Sequence, residues 1–93
     1  MTEKTIWKYP VPLPSLAHGA GGLEVAIPAF AYLLHVGRDP GEQVCMWWQV
    51  DLDEPMRPRR FVWVGTGNAV PEGDYRGTVL DAPFVWHLYE VQP

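Results

Sequence analysis

The sequence predicts a small all-β domain: a sandwich or partly open barrel of six or seven short, mostly antiparallel strands. Three observations carry this. Apolar residues recur at every second position in one segment after another, the period of a half-buried strand. Those segments are rich in β-branched and aromatic side chains, which fit a pleated surface. Ten Pro and nine Gly in 93 residues interrupt the chain too often for a long helix and supply turns between short strands.

The elements follow in order. Residues 5–11 (TIWKYPV) alternate, with Trp7, Tyr9 and Val11 on one face and Lys8 on the other. Pro10, Pro12 and Pro14 cannot donate ladder hydrogen bonds, so this strand belongs at a sheet edge. Residues 12–22 (PLPSLAHGAGG) read as a flexible loop. Its HGAGG run lacks the lysine and the following helix of a phosphate cradle, so a plain loop is the simpler reading. Leu23, Val25 and Ile27 alternate with Glu24 and Ala26 until Pro28 stops the strand.

Segment 28–36 is ambiguous. Period two places Phe30, Tyr32, Leu34 and Val36 together, whereas Pro28 also suits the first turn of a helix. A strand over 32–38 is favoured, and the alternative is an α+β fold with one short helix near 28–34. Arg38-Asp39-Pro40-Gly41 has the residues of a hairpin turn. Residues 43–51 then place Val44, Met46, Trp48 and Val50 on one face, against Cys45, Trp47 and Gln49 on the other.

Residues 52–60 (LDEPMRPRR) read as a wet connection. Phe61–Val64 is apolar on both faces and so central. After the loop 65–74, Tyr75–Leu80 and Phe84–Val91 close the domain, separated by a turn or bulge at Asp81-Ala82-Pro83. The region 61–91 is expected to supply the central pairing.

A chain of 93 residues has room for one core, so residues 1–93 are expected to form one domain. A hydrophobic fraction of 47% with 19% charged residues argues against wholesale disorder. The net charge of −4 lacks the basic footprint of a nucleic-acid binder. Cys45 is the single cysteine, which rules out an intrachain disulfide framework and fits a reducing compartment. No secretory h-region and no membrane-length apolar run is visible. A soluble, intracellular protein without membrane partner is the expectation.

Ile6-Trp7-Lys8-Tyr9, His35-Val36, Trp47, Gly65-Thr66-Gly67, Pro71, Gly77-Thr78 and Phe84-Val85-Trp86-His87 together carry a resemblance. The chain resembles a family of small bacteriophage and prophage proteins that is a domain of unknown function. That resemblance covers nearly the whole chain. It implies a one-domain phage protein in the cytoplasm of an infected bacterium, an actinobacterial host being the narrower expectation. It brings no activity and no catalytic residues.

The residues themselves offer little chemistry. His18, His35 and His87 have no metal-ligand spacing, and one cysteine is too few for a structural zinc site. A Cys45–His35 or Cys45–His87 nucleophile pair would need an electropositive cleft. Asp51, Asp53 and Glu54 read more simply as a solvated turn, and GTG (65–67) as a bulge or tight turn. Arg57, Arg59 and Arg60, with Arg38 nearby, form the only basic cluster, a thin case for binding single strands. No catalytic residue, metal or cofactor is assigned.

The tryptophans say more. Neighbouring residues of a strand leave opposite faces, so Trp47 and Trp48 cannot both enter one core. Alternation puts Trp48 inside and Trp47 outside. It likewise turns Phe84, Trp86 and Leu88 in, and Val85, His87, Tyr89 and Val91 out. If strands 43–51 and 84–91 share a sheet, Trp47, His87 and Tyr89 form one exposed patch, with Arg38 beside it. The leading expectation is a non-enzymatic phage accessory protein that binds a host bacterial protein through that patch or an edge strand. Self-association through the patch is a related reading. The alternatives are a small-molecule-binding or enzymatic domain with a pocket near Cys45, His35 and His87, and a minor virion or assembly component.

Overall fold

The computed structural model describes residues 3–14 and 22–93. Expectations for His18 and the HGAGG run lie outside the described residues. The described chain is a small all-β sandwich built from β1 (Lys4–Pro10), β2 (Leu23–Pro28), β3 (Tyr32–Arg38), β4 (Val44–Asp51), β5 (Met56–Gly65), β6 (Asp74–Asp81) and β7 (Phe84–Val91). One sheet has the order β1-β4-β3 and the other β2-β5-β7-β6, with every pairing antiparallel. The helix considered near 28–34 is absent: Ala29 and Phe30 form a turn, and β3 begins at Tyr32. Phe30 takes a positive φ of 62° in that turn, which is incompatible with a helical start.

Alternation sets the core. Val44, Met46, Trp48 and Val50 of β4 are buried, as are Phe61 and Trp63 of β5 and Leu88 of β7. Trp48 meets Phe61 across the two layers, with ring centroids 6.2 Å apart. Val11 and Leu13 follow β1 into the core, and Trp63 Nε1 donates to the carbonyl of Pro12 at 2.9 Å. Phe84 departs from its expected inward position: it stands next to the β6–β7 turn, 58% exposed, and packs on Trp86.

The expected wet connection at 52–60 is shorter than anticipated, because β5 already starts at Met56. Pro58 is compatible with the strand for a reason of register. It pairs with Ala26, and the hydrogen bond from Ala29 N–H to Pro55 C=O fixes which residues bond across that ladder. Pro58 then falls at a position whose N–H would point away from β2. On that side β7 pairs only from Arg60 onward, so no ladder bond is lost.

Both chain segments flanking β7 run in the same direction, so the connection 66–73 must cross from one end of β7 to the other. Thr66 bonds to His87, and Val64, Asn68 and Val70 line a hollow with His87 and Tyr89. The crossing therefore runs over the outer face of the four-stranded sheet.

Candidate functional site

The two sheets present very different outer faces. On the four-stranded sheet, His87 stands between two hydroxyls. Thr66 Oγ1 lies 2.8 Å from Nε2, and Thr78 Oγ1 lies 2.9 Å from Nδ1. Tyr75 Oη extends the chain by a short hydrogen bond to Thr78, and its ring packs edge-on against Tyr89 at 5.7 Å. Both imidazole nitrogens are thus engaged by the protein's own hydroxyls, and the hollow that the crossing leaves beside the ring is shallow, about 230 Å³. His87 and Tyr89 are half-buried.

On the three-stranded sheet, register sets the outward rows. Ile6, Gln49 and Tyr32 form one row, and Lys8, Trp47 and His35 the next. The His35 and Trp47 rings lie tilted at 5.8 Å. Tyr32 is 68% exposed and Ile6 58%, with Leu34 at the β3 bulge also exposed. Trp47 is half-buried in the middle of them.

The expected patch joining Trp47 to His87 and Tyr89 does not form. β4 and β7 belong to different sheets, so residues pointing outward from each emerge on opposite sides of the molecule. Arg38 is also elsewhere. Its guanidinium donates to the Leu80 carbonyl at 2.8 Å and to Asp81 at 3.5 Å, tying β3 to β6.

Cys45 is buried on the outer side of β4. Its thiol donates to the Gln43 carbonyl and lies 3.9 Å from Asp39 Oδ2. Burial first, then the neighbouring Asp39 charge, push the thiol up. Asp39 is itself held below the usual carboxylate range by the Gln43 N–H, by Lys8 at 3.1 Å and by the Gly41 N–H. This is the reverse of an activated nucleophile. Asp51 accepts the Asp53 N–H at 3.0 Å, a local turn bond.

The basic cluster divides. Arg57 is exposed, Arg60 packs near Gly22, and Arg59 turns inward. Inside the sandwich Arg59 and Arg76 both donate to Glu90, at 2.6–3.0 Å. The Arg59 guanidinium lies 4.4 Å from the Trp48 ring centroid. Burial pushes the Glu90 carboxyl up, but hydrogen bonds from Arg59 and Arg76, and their charges, outweigh it and leave it below its ordinary range. Sequence reasoning missed this trio. The signal was present: Arg59 shares the alternation of Phe61 and Trp63, and Glu90 that of Leu88.

A model for a family described as a domain of unknown function (DUF7352) matches residues 2–93. The chain belongs to this family. No curated protein and no solved structure matches it. Within a DUF7352 chain, the features that bear on function are therefore the two outer faces, one overlaid by its own crossing segment and one bare among the described residues.

Proposed function

We propose that this DUF7352 protein is a non-enzymatic phage accessory protein that binds a host bacterial protein in the infected cell. The binding surface is the outer face of the three-stranded sheet, centred on Trp47. One observation carries the reading: Ile6, Tyr32, Leu34 and His35 stand exposed around Trp47, and no described segment crosses them. Contiguous exposed apolar surface marks binding sites, and Trp and Tyr dominate interface energetics. The raised Cys45 thiol and the doubly engaged His87 support binding over catalysis.

The test is capture of bacterial lysate proteins by the full chain, followed by affinity measurement on the captured partner. Trp47→Ala and Tyr32→Ala should each weaken binding by roughly thirtyfold, the scale of an interface hot spot. Leu80→Ser, on the opposite outer face, should leave it unchanged. Equal loss from Leu80→Ser, or no loss from Trp47→Ala, refutes the choice of face.

A further inference from the structure

The edge of β1 has a defined set of free backbone groups. Val11 N–H donates to Val44 C=O at 3.0 Å, and Leu52 N–H to Glu3 C=O at 3.1 Å. Those bonds fix the parity of the β1–β4 ladder, so the odd-numbered residues of β1 face β4. The N–H and C=O groups of Lys4, Ile6 and Lys8 point the other way, where no described segment pairs with them. Pro10 ends the row of donors.

We infer that this edge takes up an extended segment of a partner protein, with carboxylates opposite Lys4 and Lys8 and an apolar residue opposite Ile6. This rests on the proposed binding role and names how the partner is held. The same three residues carry their side chains on the outer face, so an added strand would continue the Lys8–Trp47–His35 and Ile6–Gln49–Tyr32 rows. Its alternate side chains would lie against Trp7, which is 37% exposed at the sheet margin and packs edge-on with Tyr9. Lys4 makes no ion pair among the described residues, and Lys8 shares its amine with Asp39.

Charge selects the occupant. An antiparallel second copy centred on Ile6 would set Lys4 opposite Lys8 twice, and like charges directly opposed destabilise a pair. The other edges are poorer acceptors. β3 and β6 pack on each other. On β2 the Ala29–Pro55 bond leaves only Glu24 and Ala26 with outward donors before Pro28, and Glu24 repels an acidic strand.

The full chain is titrated with two short peptides, one built on Glu-Val-Val-Val-Glu and the other on Lys-Val-Val-Val-Lys, so that the charged residues meet Lys4 and Lys8 and a valine meets Ile6, while backbone amides are followed by NMR. The Glu peptide should protect the amides of Lys4, Ile6 and Lys8 and bind roughly tenfold more tightly than the Lys peptide, from two reversed cross-strand charge pairs. Ile6→Pro removes one outward donor and should abolish binding. Should that variant not fold, Lys4→Glu serves instead and should erase the preference. Equal binding of both peptides, no binding, binding that survives Ile6→Pro in a folded chain, or growth in mass through copy-to-copy pairing overturns the inference. A lysate partner lost on Trp47→Ala but kept on Ile6→Pro would remove strand addition and leave the proposed face standing. A partner indifferent to both would remove both.

Discussion

The two sides of the sandwich where the sheets meet are built differently. At the β3–β6 side, each edge strand carries a bulge, between Leu33 and His35 and between Tyr75 and Gly77. Gly77 lets the strands approach so closely that an added Cβ would sit 2.9 Å from Val36 Cβ. Arg38 then bonds across to Leu80 and Asp81. At the β1–β2 side the described strands do not touch. A sandwich has four edges to manage, and this one hides two by packing them together and leaves two that no strand among the described residues pairs. The difference teaches that bulges and a missing side chain are closing devices, while a lysine-bearing edge sets like charges against an antiparallel copy of itself.

Glu90→Gln should perturb this contrast most. Arg76 is the residue between the shifted pairs of β6, and its inward turn toward Glu90 holds the bulge that presents Gly77 to Val36. Neutralising Glu90 leaves two half-buried guanidinium groups together, at a cost of about 3 kcal/mol in denaturant unfolding at neutral pH. Acid gives the matching test. The folded Glu90 pKa lies below its unfolded value, so its stabilisation is complete above about pH 4.5 and is lost as pH falls through the folded value. Wild type should lose more stability than Glu90→Gln over that descent, while Asp39, also held low, keeps part of the slope in both. Parallel acid curves would show that the trio adds nothing.

Gly77→Val comes next. Its branched side chain must displace Val36, which should cost about 2 kcal/mol and expose the β3–β6 side to hydrogen exchange. Unchanged protection of β3 amides would mean the closure does not depend on that approach. The smallest and most discriminating contrast lies on β1. Thr5 sits in a hydrogen-bonded pair with Val50, whereas Ile6 sits in a non-bonded pair with Gln49. Thr5→Pro should cost about 1–2 kcal/mol by breaking a ladder bond, against roughly 0.5 kcal/mol or less for Ile6→Pro. Equal melting temperatures for the two variants would contradict the assigned parity and with it the set of free donors.

Much of the fold was legible because period-two alternation is a local property. It placed Trp48 in the core and aligned Val44, Met46 and Val50 with it. It also sent β1 to an edge through its prolines and recognised the Asp39 turn, whose carboxylate accepts Gly41 and Gln43 N–H groups. Sheet membership is a long-range property, and nothing local told β4 from β7 in that respect. That is why Trp47 was joined with His87 and Tyr89, and why the crossing at 66–73 went unseen. Composition misled at 56–60, where arginines and a proline concealed the start of β5. Nor did it disclose the contact of Arg38 with the Leu80 carbonyl across the two sheets.

Cys45 gives this molecule an unplanned instrument. The only thiol in the chain is sealed at 0% exposure between the edge strands of the smaller sheet, with Asp39 disfavouring its ionised form. The thiol lies under the Asp39–Gln43 turn and the Lys8–Asp39 pair, so the rate of maleimide alkylation clocks the opening of that cover without any engineered label. A ligand that docks along β1 would slow that clock, and one that grips the far sheet would leave it running at its native pace.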